Sequence, residues 1–183
     1  SLGGDVTGAA TARCSPTAPI PRGTQSWGGW SPASTNARFQ NAEQAGLTPD
    51  NVSRLTLKWA FGFPDATSAW SQPTVSGGRL FVGSQNGTIY ALEARTGCVL
   101  WTFTAKAGVR TAVTVGAQPR GTVFFGDTGS NVYALDIETG RQLWSRRMSD
   151  HPYPRVTGTP TLYKGRLYVP VSSLEETAAS QQG

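Results

Sequence analysis

The sequence predicts an all-β chain, a partial β-propeller of four-stranded blades. Three observations carry this expectation. Tryptophan closes three successive units, at Trp59, Trp101 and Trp144, with spacings of 42 and then 43 residues. One motif precedes the second and third tryptophans: Tyr90-Ala-Leu92 with Thr96-Gly97, then Tyr133-Ala-Leu135 with Thr139-Gly140. The composition, with 22 Gly and 12 Pro against one Met, suits short strands joined by tight turns.

Residues 1–54 read as an N-terminal arm and lead-in, and residues 55–183 as the first blades. Up to Ser26 the chain is rich in Gly, Ala, Pro and Thr and reads as irregular. The segment Trp27-Gly-Gly-Trp30 is either a packed edge loop or a ligand contact. Thr48-Pro49-Asp50 has the order of an N-cap, a first helical position and a first-turn acid, which predicts one short helical turn. From Leu55 onward the chain repeats. The strand Arg79–Gly83 recurs as Thr122–Gly126 and again as Arg166–Val169. Turns fall at Gly77-Gly78, Asn86-Gly87, Thr96-Gly97 and Thr139-Gly140, where glycine supplies the backbone freedom of tight hairpins.

A four-stranded sheet of this size cannot bury both faces alone, whereas radially stacked sheets cover one another. The recurring tryptophan then fills the same gap between blades, at about 3 kcal/mol or more per indole. A β-solenoid is the alternative, but its turns are usually shorter; helical repeats fail on composition. Only about three periods fit after Leu55, and propellers need at least four blades. The remainder of the propeller, in the same gene product or a second chain, is therefore the expected partner.

Charge and motifs exclude several classes. The net charge is +5 with 15% charged residues, and the basic residues are scattered rather than striped, which argues against nucleic-acid binding. No run of 18 apolar residues exists, so no transmembrane helix is expected. Cys14 and Cys98 form no CxxC or CxxCH motif, and a single histidine, His151, leaves no His-rich metal site.

Function is expected where the repeat pattern breaks near the channel. Gly108-Val-Arg110-Thr111 follows an outer strand and precedes the next inner strand, placing Arg110 near the axis, as a carboxylate clamp or as half of a channel-mouth ion pair. Arg155-Val-Thr157-Gly158-Thr159-Pro160 takes the equivalent place one blade later; its hydroxyls bind a ligand or satisfy a turn. Ser172-Ser173-Leu174-Glu175-Glu176 puts two acids where the earlier blades have simple turns. Carboxylates beside hydroxyls suit Ca²⁺, and a solvated acidic loop is the plain alternative.

The repeat unit Tyr-Ala-Leu-(Asp/Glu)-x-x-Thr-Gly-x-x-x-Trp resembles that of the pyrroloquinoline-quinone (PQQ) enzymes and their non-enzymatic relatives. Trp27-Gly-Gly-Trp30, Asn36-Ala-Arg38-Phe39-Gln40, Gly97-Cys98-Val99, Gly108-Val-Arg110-Thr111 and Val171-Ser-Ser-Leu-Glu-Glu176 resemble the polyvinyl-alcohol dehydrogenase branch. The resemblance implies an eight-bladed propeller holding PQQ and Ca²⁺, alcohol oxidation in the periplasm and electron transfer to cytochrome c. It implies that Arg110 contacts the quinone oxygens, stabilising charge that grows there. It also implies that Thr157 and Ser172 bind the cofactor, and that Glu175 binds cofactor and Ca²⁺, with Glu176 as the register alternative. Many relatives carry glutamate at the position held here by Trp70, three residues before Pro73, which sets this chain apart on that side. The catalytic aspartate of relatives lies beyond the matching segment.

Two functions from different classes follow. One is a PQQ- and Ca²⁺-dependent dehydrogenase acting on secondary or polymeric alcohols, periplasmic or secreted, passing electrons to an external cytochrome or dye. The other is an envelope scaffold whose propeller rim binds protein partners. In an oxidising compartment Cys14 and Cys98 are expected to pair. Cys98 follows the Thr96-Gly97 turn where the next repeat carries Arg141, a rim position. The bridge would span 84 residues and contribute about 4 to 5 kcal/mol in the chain-entropy picture; two free thiols are the alternative.

Overall fold

Each repeat carries runs of β-branched and aromatic residues cut by Gly, Asn and Asp, and these runs form the strands. The computed structural model describes residues 12–15, 26–32, 37–116 and 121–174. In order the elements are β1 (Trp27–Gly28), α1 (Ala42–Ala45), α2 (Pro49–Val52), β2 (Thr74–Ser76), β3 (Arg79–Gly83), β4 (Thr88–Glu93) and β5 (Val99–Thr104). There follow β6 (Thr114–Gly116), β7 (Thr122–Gly126), β8 (Asn131–Asp136), β9 (Gln142–Arg147), β10 (Pro154–Arg155), β11 (Thr161–Tyr163), β12 (Arg166–Tyr168) and β13 (Ser172–Ser173). The expected helical turn is α2, with the Thr48 N–H donating to the Asn51 side chain at 2.8 Å. No helix among the described residues is long and apolar enough to cross a membrane.

Two antiparallel blades stand complete. β2–β5 form one, with β1 added at its inner edge, and β6–β9 form the next. The Trp27-Gly28 pair thus serves as an edge strand rather than a loop, pairing Trp27 with Val75. The registers repeat: Phe81 faces Ala91 as Phe124 faces Ala134, and Ala91 faces Trp101 as Ala134 faces Trp144. Both blades slip register at the same point, between Ala91 and Leu92 and between Ala134 and Leu135. The small alanine opposite each indole leaves the sheet surface open for the ring. The third repeat contributes the β11–β12 hairpin. Its next strand, β13, turns back to pair with β10 instead of extending the sheet.

The core lies between the two blades. Phe81, Ile89, Trp101, Val113, Val123, Phe125, Tyr133 and Leu135 form one cluster. On the other face of the first blade, Val82, Tyr90, Leu92 and Val99 are covered by Trp59, Phe61, Phe63 and Leu80. The tryptophans dock as the repeat demands. Trp101 is 6% exposed and lies on Gly140 of the next blade, its Nε1–H donating to the Ile137 carbonyl at 2.9 Å. Trp59 lies on Gly97 in the same way, with Nε1–H on the Ala94 carbonyl at 3.2 Å. Residues 55–61 therefore sit where a preceding blade's outer strand would lie, yet have no strand partner among the described residues, and Leu57 is 83% exposed. Trp144 is 43% exposed and lines an open cleft of ≈ 440 Å³ with Val132, Met148, Leu167 and Val169.

The seats are built by carboxylates. Asp136 accepts the N–H groups of Glu138 and Thr139 and the Thr139 hydroxyl, closing the turn that carries Gly140. The Thr139 hydroxyl is the main cause that holds the Asp136 carboxyl below the usual carboxylate range, against the opposing effect of burial. Glu93 sits at the same place one blade earlier. Burial pushes its carboxyl up, but bonds from Thr96 and Arg95 outweigh this and leave it low. Arg79 of the first blade pairs with Glu138 of the next.

Cys14 and Cys98 are joined in a disulfide, their Cα atoms 5.1 Å apart. Beside it Cys14 N–H donates to the Val99 carbonyl at 3.0 Å, and Val99 N–H donates to Ala12 at 2.9 Å. A short piece of the arm thus covers the start of β5, an edge otherwise open to pairing.

Two predictions follow from these seats. A Cβ at Gly140 would stand 2.5 Å from the Trp101 ring, and Gly140 has φ +69°. Gly140→Ala in the full-length protein should cost about 2–4 kcal/mol. Gly165→Ala, at φ +74° with nothing within 4 Å, should cost only the backbone strain, about 1 kcal/mol. Urea unfolding of the two variants checks the difference. The lowered carboxyl of Asp136 stabilises the fold above the unfolded-state value, about pH 4, and this contribution fades as pH falls through the lower folded value. Asp136→Ala should therefore lie below wild type at pH 7 and converge with it in acid; a gap unchanged at pH 2 would contradict this.

Candidate functional site

Hydroxyl groups fasten each blade's entry segment to the next. Ser71 Oγ accepts Gly83 N–H at 3.1 Å and donates to the Thr111 carbonyl at 2.7 Å. Thr111 Oγ1 in turn accepts Gly126 N–H at 3.2 Å. Thr74 donates to the Val113 carbonyl at 2.7 Å, and Thr114 donates to the Pro160 carbonyl. These bonds align the three entries residue by residue. Trp70, Arg110 and Thr157 hold one structural position in three consecutive blades.

The backbone beneath Arg110 is pinned from both sides. Val109 N–H donates to the Ser84 carbonyl at 2.9 Å, and the Gly108 carbonyl accepts Thr128 N–H at 2.9 Å. Val109 is buried against Gly83, as Val156 is against Gly126. The Arg110 side chain is left exposed, with its guanidinium 5.6 Å from the centre of the Trp70 ring. Trp70, Gln85, Arg110, Thr128 and Arg155 line a pocket of ≈ 270 Å³. Arg155 lies in β10 directly across from Ser172 of β13, and the Ser172 hydroxyl approaches the Arg155 carbonyl at 3.5 Å. Thr157 is half-buried two residues further on. Its neighbour Thr159 is the one committed to structure, accepting Ala112 N–H at 3.2 Å.

A buried carboxylate supports the wall of this pocket. Asp127 is fully buried and accepts Gly129 N–H, Asn131 N–H, the Asn131 side chain and, at 2.7 Å, the Tyr133 hydroxyl. The Tyr133 oxygen also accepts Lys106 N–H at 3.0 Å. Burial pushes the Tyr133 hydroxyl well above its usual range; Lys106 N–H opposes this and the Asp127 carboxylate adds to it. The network holds the Asp127–Ser130 turn, and with it Thr128 and the Gly108 carbonyl. Among the described residues the Arg79–Glu138 pair is the only salt bridge, so neither Arg110 nor Arg155 has a carboxylate partner there. The described residues hold no cluster of three metal-ligating side chains. Glu175 and Glu176 lie outside the described residues.

The family described as outer membrane protein assembly factor BamB (PQQ_2) matches residues 32–183. The chain belongs to the PQQ_2 family. A polyvinylalcohol dehydrogenase from Pseudomonas sp. is 44% identical over 159 residues, covering 84% of this chain and 24% of that protein. A second polyvinylalcohol dehydrogenase, from Sphingopyxis sp. (strain 113P3), is 39% identical over 158 residues with the same coverage. The chain thus spans about a quarter of the length of these relatives. In the solved quinohemoprotein alcohol dehydrogenase of Comamonas testosteroni the fold recurs with a TM-score of 0.68 at 21% identity, over 85% of this chain and 24% of that one. The PQQ_2 membership agrees with the partial propeller of tryptophan-docked blades.

Of the sequence-derived residues, Arg110 lines the pocket, while Ser172 joins it through the backbone of Arg155. Thr157 holds the Arg110 position one blade later. Arg155 opens a repeat-breaking segment in which only the threonines carry an expected role, and Gln85, Thr128 and the Asp127–Tyr133 network stand in ordinary repeat positions. Aligning Ser71 with Thr111 would have shown that Trp70 and Arg110 are equivalent. Nothing in the linear motif shows that Arg155 joins them.

Asp127→Ala should leave several buried donors without an acceptor and cost about 3 kcal/mol in urea unfolding. Asp127→Asn keeps one acceptor and should cost less. It also removes the carboxylate charge that helps raise Tyr133, so ultraviolet titration should show the phenol ionising at lower pH than in wild type.

Proposed function

We propose that this chain is part of a PQQ- and Ca²⁺-dependent dehydrogenase of secondary or polymeric alcohols. It would act in the periplasm or as a secreted protein and pass electrons to an external cytochrome or dye. The observation that carries the reading is the Trp70–Arg110–Arg155 pocket at the blade entries, with two guanidinium groups and no carboxylate partner among the described residues. Such a pocket fits a planar polyanion, and PQQ carries three carboxylates beside its quinone oxygens. Names of the polyvinylalcohol dehydrogenase relatives support the alcohol substrate, and the disulfide supports an oxidising compartment.

In this reading Arg110 offers N–H donors to the quinone edge, held in place by Trp70 and the pinned Gly108–Val109 backbone. Thr157 and Ser172 supply hydroxyl donors, and Glu175 binds Ca²⁺ beside the cofactor. Bound PQQ supplies the two-electron acceptor that takes the hydride from the carbinol carbon. The hydroxyl proton goes to a carboxylate base supplied by the rest of the protein. The partner completing the site is the remainder of the propeller, whose strands would pair with residues 55–61 and cover Trp144. A scaffold role is favoured by one finding, the family's description as an assembly factor.

The full-length protein, supplied with PQQ and Ca²⁺, should oxidise secondary alcohols with a dye acceptor. Arg110→Ala should lower kcat by about 10²–10³-fold. A complete, folded propeller that takes up no PQQ would exclude the dehydrogenase and favour the scaffold.

A further inference from the structure

We infer that Arg155 is a second cofactor-binding arginine, taking a PQQ carboxylate in the pocket it shares with Arg110, which faces the neighbouring quinone edge; this rests on the dehydrogenase reading above. Both arginines line the same pocket of ≈ 270 Å³, with neutral Gln85 and Thr128 and with Trp70 completing the wall. Two arginines lining one pocket, with no carboxylate partner among the described residues, bring like charges close, and an anion bound between them would relieve that repulsion. The Arg110 guanidinium carbon lies over the Trp70 ring, 5.6 Å from its centre, a cation–π contact that steadies the side chain without using its N–H donors.

The backbone places Arg155 for this task. β10 pairs with β13, so Arg155 faces Ser172, and Val156 N–H donates to the Asp127 carbonyl at 3.3 Å. Arg155 is thereby tied both to the turn that carries Thr128 and to the strand that carries Ser172. A planar carboxylate is favoured over a lone hydroxyl or a neutral ring because each guanidinium presents a fork of parallel donors, which matches two oxygens at once.

The test is equilibrium binding to the full-length apo protein, followed by PQQ absorbance and, separately, by calorimetry with malonate as a simple dicarboxylate. Arg155→Gln should weaken PQQ binding at least ~10-fold and reduce its salt dependence, with unchanged thermal unfolding. Arg155→Lys, which keeps the charge but not the fork, should fall between the two. Unchanged PQQ affinity in Arg155→Gln would overturn the inference. If wild type binds malonate in an Arg155-dependent way but no PQQ, the anion pocket stands and the dehydrogenase reading fails. Binding of neither ligand overturns both. Should Arg155→Gln not fold, Arg155→Lys decides, with an affinity equal to wild type counting against the proposal.

Discussion

The indole of one blade resting on the turn glycine of the next is the contact from which the rest follows. A flat ring lying this close to the turn needs a neighbour without a Cβ, and the turn needs a residue at positive φ. One glycine meets both needs at Gly97 and again at Gly140. The N–H of each indole is consumed by a carbonyl of the same turn, Ala94 or Ile137, so burial of the ring leaves no donor unsatisfied. Because the contact is aromatic, polar and steric at once, it sets both the distance and the rotation between blades. The carboxylates of Glu93 and Asp136 brace the turns, and the register slip beside Ala91 and Ala134 makes room for the rings.

At the other end of the blades a second set of contacts, from hydroxyls, does the aligning. Ser71, Thr74 and Thr114 each bond across to the next entry segment, while Thr111 bonds to Gly126 of its own blade. These bonds are buried or half-buried and made to backbone atoms, so they fix main chain rather than side chain. What remains free is the residue just outside each bolt. The rim therefore specifies the spacing of blades, and the entries specify which side chain meets the axis.

Much of this was legible in the sequence, for a physical reason. Strands, turns and docking tryptophans depend on local residue type, and the period of 42 to 43 residues exposed them. The Cys14–Cys98 pair was legible from rim position and compartment together. Arg110 was legible as a cation between an outer and an inner strand. Arg155 was harder to see because its place depends on β10 pairing with β13, a departure from the repeat that no periodicity foretells. Asp127 was hidden for the opposite reason. It sits in an ordinary turn position, where Ser84 stands one blade earlier, and only burial shows that its carboxylate organises the turn.

The shared position of Trp70, Arg110 and Thr157 has a bearing on how such proteins diversify. Each residue leaves an equivalent backbone position, with the next residue bonded by its hydroxyl after Trp70 and Arg110 and replaced by Gly158 after Thr157, so an aromatic, a cation and a hydroxyl are interchangeable there as far as the scaffold is concerned. Duplicating a blade copies a ready-made attachment point, and a single codon change then alters the chemistry presented to the axis. Selection for a new ligand can act on that one site per blade without reopening the packing between blades. A small combinatorial library confined to these three codons would sample ligand preference while leaving the architecture intact.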